Sequence, residues 1–91
     1  MAESRPKHTV KFTKTAQKDY ESIRDAKLLA GVNRIIDELK INPYQFKKLS
    51  GPLAHLRSAK TFSFRIIFQI EENGTLLVYV MGIGHRKEIY K

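Results

Sequence analysis

Side chains able to bind a phosphate group and to transfer protons cluster from residue 60 onward in this chain. They are two arginines, a lysine, a histidine and a tyrosine: Arg65, Arg86, Lys60, His85 and Tyr90. A guanidinium group stays charged and makes paired hydrogen bonds to phosphate oxygens. Lysine, histidine and tyrosine can each act as a general base or acid. This combination favours chemistry at a phosphate, provided that the fold brings the side chains together.

The segment from Lys60 to Arg86 predicts one long β-hairpin. Its two arms are rich in β-branched and aromatic residues, as strands usually are. Asn73-Gly74 between the arms can adopt the two positive φ angles of a type I′ turn. A two-residue turn at this position fixes the pairing register along the whole hairpin.

In that register Arg65 lies opposite Gly82, with Gly84 diagonal to it, and Arg86 lies on the same face. Two arginines above glycines that have no side chains form a hollow of fixed positive charge, which suits an anion. The other face of the hairpin is apolar and needs to be covered by helices. Its predicted members are Phe62, Phe64, Ile66, Phe68 and Ile70, opposed by Leu77, Tyr79, Met81, Ile83 and His85.

Size and composition narrow the function classes. The chain has 91 residues and a net charge of +8, which predicts one small domain with a polyanionic partner. No apolar run approaches membrane-spanning length and no signal-peptide core is present, so we expect no membrane contact. The absence of cysteine excludes disulfides and thiolate metal ligands and fits a cytoplasmic location. The three histidines lack metal-ligand spacing, so no metal or other cofactor is expected.

The positive charge is unevenly distributed. No carboxylate occurs between Glu38 and Glu71, whereas six cations fall there. A solvated basic surface is the simpler explanation, but a gap of this length favours a basic patch that binds an anionic partner. The six cations are Lys40, Lys47, Lys48, Arg57, Lys60 and Arg65.

The remaining chain predicts the elements that position the hairpin. Residues 1–7 are expected to be a flexible tail, and residues 8–91 a single domain. A short strand over His8 to Phe12 precedes two amphipathic helices, one from Thr13 or Thr15 to about Asp25 and one from about Lys27 to Ile41. A further strand covers Leu53 to Lys60. The expected fold class is α+β in the order β-α-α-β-β-β, with a two-helix hairpin on one face of a four-stranded, mainly antiparallel sheet.

Several motifs in this order resemble the RelE/ParE superfamily of bacterial toxin components. They are Lys48-Leu-Ser-Gly51, Leu56-Arg-Ser-Ala-Lys60, Phe64-Arg-Ile-Ile-Phe68, Gly84-His-Arg-Lys-Glu-Ile-Tyr90 and the helix end Leu39-x-x-Asn42-Pro43. The resemblance covers nearly the whole chain from residue 8. It departs from the family at Phe62, where other members carry a turn glycine. The glutamate base of YoeB-type members has no counterpart near Lys48-Leu49.

The resemblance implies the toxin of a toxin–antitoxin system, with two branches that differ in activity. RelE-type members cleave mRNA in the ribosomal decoding site without a metal, and their phosphate-binding arginine maps onto Arg65. A second arginine maps onto Arg86, and a near-terminal tyrosine maps onto Tyr90. ParE-type members instead inhibit DNA gyrase and have no nuclease residues. A toxin-like fold that has lost activity and only binds its partner is a third possibility.

The residues around Arg65 have alternative roles. Lys60 is a candidate base if crowding by Arg57, Arg65 and Arg86 favours its neutral amine, and it is equally well one of many solvated lysines. His85 is a candidate base or acid, but strict alternation places it on the helix-covered face, where it is structural. Tyr90 can stack on a base or donate a proton, or pack on the sheet. We expect three further cations, Lys47, Lys48 and Arg57, to contact the RNA backbone.

The expected partners follow from the charge and the resemblance. They are the ribosome with its mRNA, and a cognate acidic antitoxin whose partly disordered segment folds on the basic face in a hetero-oligomer.

Overall fold

The computed structural model describes residues 8–71 and 73–85. Within them, two helices pack on one face of a sheet. The helices are α1 (Lys14–Glu21) and α2 (Ala26–Ile41), and short 3₁₀ turns lie at Pro43–Gln45 and Gly51–Leu53. The strands are β1 (Thr9–Phe12), β2 (Lys47–Lys48), β3 (Arg57–Thr61), β4 (Phe64–Ile70) and β5 (Leu77–His85).

The sheet has the order β1-β5-β4-β3-β2. β1 runs parallel to β5, and the other neighbouring strands are antiparallel. The predicted α+β class and mainly antiparallel sheet are confirmed. The described sheet has five strands rather than four, because Lys47 and Lys48 pair with β3 as a two-residue edge strand, which is too short to show a hydrophobic period.

Side-chain caps define where both helices begin. The Thr13 hydroxyl accepts a hydrogen bond from the Ala16 amide at 3.1 Å. The Asp25 carboxylate accepts from the amides of Lys27 and Leu28 at 2.8 and 3.2 Å. Because Asp25 caps α2, it cannot also extend α1, and α1 ends earlier than predicted.

Neither helix is long and apolar enough to span a membrane within the described residues.

The core lies between the helices and one face of the sheet, as the apolar stripes predict. Phe68 and Leu39 are among its largest fully buried side chains. The ring of Phe46 meets Phe68 edge-on at 5.9 Å between centroids. The buried members are Ala16, Val32, Ile35, Leu39, Ala59, Ile66, Phe68, Ile70, Val78, Val80 and Ile83.

The connection between β4 and β5 differs from the predicted two-residue turn. The Glu71 amide donates to the Leu77 carbonyl at 2.9 Å, so a longer loop closes there. Positive φ angles occur at Gly74 (87°) and Leu76 (54°), not at Asn73. The Asn73 side chain instead accepts from the Thr75 amide at 3.2 Å, a local bond that competes with the type I′ conformation.

A β-bulge then shifts the register a second time. Ile67 pairs with Gly82, whereas Phe68 pairs with Val80, so Met81 has no partner on β4. Between the loop and the bulge the inward residues are therefore Val78 and Val80. The predicted inward placement of Leu77, Tyr79 and Met81 is wrong, because each one-residue shift reverses which side chains face the core.

The turn between β3 and β4 is also a correction. Thr61 pairs with Phe64, so Phe62 and Ser63 form a two-residue loop and the predicted single long hairpin is two hairpins. Phe62 was expected on the apolar face, but it is 64% exposed and has a φ of 53°.

Candidate functional site

The first element of the site is a row across three strands on the sheet face away from the helices, called the open face below. Arg65 on β4 pairs with Lys60 on β3 and with Gly84 on β5. Directly opposed residues project to the same side, so the guanidinium and the ammonium group share this face. Arg65 was expected opposite Gly82; the two register shifts place it opposite Gly84.

A second row lies beside the first on the open face. Lys47, Ser58, Ile67 and Gly82 are consecutive partners across β2, β3, β4 and β5. Arg65 Nη1 donates to the Ser58 hydroxyl at 3.4 Å, which links the two rows. The guanidinium is otherwise free to bind an anion, because the one ion pair within 4.0 Å among the described residues joins Lys40 to Asp37.

The two β5 glycines form the floor of a hollow of about 340 Å³. A methyl group built at Gly82 would meet its nearest neighbour, an Asp19 carboxylate oxygen, only at 3.9 Å. A methyl group would therefore fit at Gly82 in ordinary van der Waals contact. The lining residues are Thr15, Asp19, Leu56, Ile67, Met81, Gly82, Ile83 and Gly84.

The wall of this hollow comes from α1, which lies along β5 beyond the end of β1. β1 stops at Phe12 opposite Val80, which leaves the next β5 backbone groups without a strand partner. The Thr13 hydroxyl donates to the Met81 carbonyl at 3.2 Å, and the Ile83 amide donates to an Asp19 carboxylate oxygen at 3.0 Å. The cap residue Thr13 and α1 thus take the place of a strand along this edge.

Sequence reasoning did not identify Asp19 as a site residue. It lies on an amphipathic helix that has no pattern typical of a catalytic site, and its partner Ile83 is 64 residues away. Only the bulge at Met81 brings the two together. A helix-borne carboxylate that binds a distant strand amide leaves no local sequence signal.

The electrostatics of the open face are dominated by cations. The described strands contain no aspartate or glutamate. Four cations project from the open face by register, and Asp19 is the carboxylate that lines the hollow. The four are Lys11, Lys47, Lys60 and Arg65.

The other predicted site residues lie elsewhere or outside the described chain. His85 pairs with Phe64, and their rings meet at 4.6 Å between centroids, so His85 lies on the face opposite Arg65, as alternation predicts, but it is exposed there rather than covered by a helix. Arg86 and Tyr90 fall outside the described residues, as does the predicted flexible tail.

The three predicted RNA-binding cations do not share one face. Lys47 is on the open face, whereas Lys48 pairs with Arg57 on the helix side. Arg57 is held by the protein itself, donating to the Phe46 carbonyl at 2.8 Å and lying 5.3 Å from the centre of the Tyr44 ring.

In the described residues, no three His, Asp or Glu side chains are close enough to hold a metal.

Comparison with known proteins identifies the family to which this architecture belongs. A sequence model of the ParE toxin of type II toxin–antitoxin systems matches residues 10–90. Toxin RelG of Mycobacterium tuberculosis is 31% identical over 85 residues, covering 92% of this chain and 97% of that protein. The chain therefore belongs to the RelE/ParE family and is the toxin of a type II toxin–antitoxin system.

Solved structures agree with this assignment. The toxin–antitoxin complex RelBE2 of Mycobacterium tuberculosis matches with a TM-score of 0.75 and 30% identity, covering 90% of this chain and 100% of that chain. The intact RelBE complex of Escherichia coli matches with a TM-score of 0.74, covering 86% and 95% of the two chains, but at 18% identity it shows only the fold.

Proposed function

We propose that this toxin is a ribosome-dependent endoribonuclease that cleaves mRNA without a metal. The observation that carries the proposal is the pairing of Lys60 with Arg65 across the open face, with Gly84 as the third member of the row. This arrangement places Arg65 next to Gly84, which lines the hollow, and Lys60 one strand further from it.

The reaction is an attack of the RNA on itself. A base removes the proton of the 2′-hydroxyl, the 2′-oxygen bonds to phosphorus, and the bond from phosphorus to the 5′-oxygen breaks. An acid protonates the leaving oxygen, which gives a 2′,3′-cyclic phosphate and a 5′-hydroxyl. The protein has to orient the phosphate and stabilise the charge that develops on it.

Arg65 binds the scissile phosphate in this mechanism. Its fork makes two parallel hydrogen bonds to phosphate oxygens, and Ser58 holds one end of the guanidinium. Lys60, directly across from Arg65, is the base or an additional cation at the transition state. Arg86 is assigned the second stabilising guanidinium and Tyr90 the stacking or proton-donating role, in line with the family motif. His85 is not needed, because it lies on the other face.

Contacts to the RNA backbone are assigned first to Lys47. It lies on the open face in the row next to Arg65, so a strand bound in the hollow passes it. Lys48 and Arg57 contact RNA in this proposal only where the strand leaves the sheet edge.

The partner expected from the family is an acidic antitoxin. Similar toxins are known in complexes with antitoxins, and a chain of net charge +8 attracts an acidic segment that folds on binding. A short acidic reading frame adjoining the gene is the expected source.

The decisive experiment induces the toxin and maps the 5′ ends of translated mRNAs. Cleavage within translated codons, absent from untranslated copies of the same transcript, supports the proposal. Growth arrest without such ends rejects it.

A ParE-like inhibition of DNA gyrase is the second candidate, because the matching family model is that of ParE toxins. It predicts gyrase–DNA adducts and DNA-damage signalling after induction, with intact mRNA. If induction produces neither adducts nor cleavage, the chain is a toxin homologue that only binds its partner.

A further inference from the structure

Phe62 is an exposed aromatic side chain in a conformation that disfavours it. It is 64% exposed, the largest value among the exposed large apolar residues of the described chain. Its φ of 53° lies in the left-handed region, which costs a residue with a Cβ about 1–2 kcal/mol. Glycine would adopt this turn without strain and without exposing a ring, so the turn itself does not require the phenylalanine.

The surroundings of Phe62 form a shallow hollow of about 310 Å³ on the helix side of the turn. A Cβ at Gly31 would come within 3.1 Å of the ring, so the ring packs on bare backbone of α2. Ala30 completes the apolar lining, and Lys27 and Arg34 stand at its rim. We call this surface the turn hollow.

The two cations are spaced to receive a helical partner. Seven residues along an α-helix are two turns, about 10.5 Å. Lys27 and Arg34 are both exposed, and neither forms an ion pair within 4.0 Å in the described part of the chain. Carboxylates two turns apart on a second helix would match them, with an apolar side chain between.

We propose that the turn hollow binds an acidic amphipathic helical segment of the antitoxin, with one apolar side chain packed against Phe62 and carboxylates on Lys27 and Arg34. This inference depends on the family assignment and not on the nuclease activity. The hollow favours a protein segment over RNA, because its floor offers a base no hydrogen-bonding side chain. It also opens on the helix side, whereas Arg65 projects from the other face.

The test uses fluorescence anisotropy of the whole toxin with a designed probe. The probe is a 20-residue helical peptide with a central leucine flanked by glutamates seven residues apart, and its control carries lysines in their place. We expect Phe62→Gly to weaken binding of the glutamate peptide at least tenfold. It should leave Tm unchanged or raise it, because glycine relieves the strain.

A charge swap makes the test specific. Lys27→Glu with Arg34→Glu should reverse the preference, so that the lysine peptide binds more tightly than the glutamate peptide. Arg65→Ala should leave peptide binding unchanged, which separates this surface from the nuclease hollow.

Three outcomes overturn the proposal. The first is equal binding of both peptides to the native toxin. The second is a Phe62→Gly variant that binds the glutamate peptide as tightly as the native toxin. The third is a Phe62→Gly variant that keeps peptide binding but no longer binds a single-stranded RNA oligonucleotide or a second copy of the toxin. Since none of these readouts measures cleavage, failure of the nuclease proposal would not produce them.

Discussion

The hollow on the open face and the turn hollow both depend on glycine, in opposite ways. On the open face, Gly82 leaves space that no protein atom fills, since a Cβ there would meet its nearest neighbour at 3.9 Å. On the helix side, Gly31 provides space that the protein does fill, with Thr61 and the Phe62 ring packed on it. Two cations line the turn hollow, whereas Lys60 and Arg65 lie outside the lining of the open-face hollow, in the strand row that ends at Gly84.

This difference separates two kinds of anion recognition. On the sheet, Arg65 is held by paired backbone on both sides and Lys60 on one side, which gives the fixed positions that a catalytic site requires. Around the turn hollow, Lys27 and Arg34 are exposed helix side chains that can adjust to a partner. The first arrangement suits chemistry and the second suits docking.

The largest expected effect is that of Arg65→Ala on the open face. Loss of one preorganised donor to a developing charge lowers cleavage by about 100- to 1,000-fold. The rate of codon-specific cleavage on programmed ribosomes measures this, with Tm unchanged because the side chain is half-exposed. Arg24→Ala, an exposed arginine between the helices, is the matched control. Equal activity of both variants would contradict the assignment.

Lys60→Ala is expected to lower the rate constant of mRNA cleavage by about 100-fold, because the variant loses a proton-transfer group or a cation that stabilises the transition state. Lys47→Ala, on the same face one row away, should instead raise KM a few-fold and leave kcat nearly unchanged. Single-turnover cleavage at varied toxin concentration separates the two effects. Identical behaviour of the two lysine variants would place Lys60 among the backbone contacts.

Gly82→Ala probes the open floor. The methyl group fits without a close contact, so Tm should be unchanged, but a phosphate displaced from the floor reacts roughly tenfold more slowly. Cleavage and thermal unfolding measured on the same preparation check this. Full activity would show that the substrate does not approach β5.

Gly31→Ala makes the same chemical change in the turn hollow with the opposite result. Alanine gains about 1 kcal/mol in helix propensity, but its Cβ overlaps the buried Thr61 hydroxyl, and overpacking costs about 1–3 kcal/mol. We expect a net loss of about 1 kcal/mol in the free energy of unfolding, measured by urea denaturation, with cleavage retained. A stabilised variant would contradict the filled character of this hollow.

The sequence was sufficient for both helices and for the face of Arg65, although it missed β2 and gave the wrong register. The true register differs from the predicted one by one residue at the loop after Glu71 and by another at Met81. The two shifts cancel in their effect on which face each residue occupies, so Arg65 still shares the open face with the β5 glycines. Between the shifts, Tyr79 was assigned to the wrong side. A bulge depends on packing across the sheet and has no period that the sequence displays.

Local sequence alone determined the helices, the apolar stripes and the excess of cations near Arg65, because caps, periodicity and charge are properties of neighbouring residues. Tertiary structure decided the register, the place of Lys60 beside Arg65, the role of Asp19 at the β5 edge and the close approach of Phe62 to Gly31. Each of these joins residues on different elements, and their geometry is set by how helix and sheet pack rather than by either segment itself.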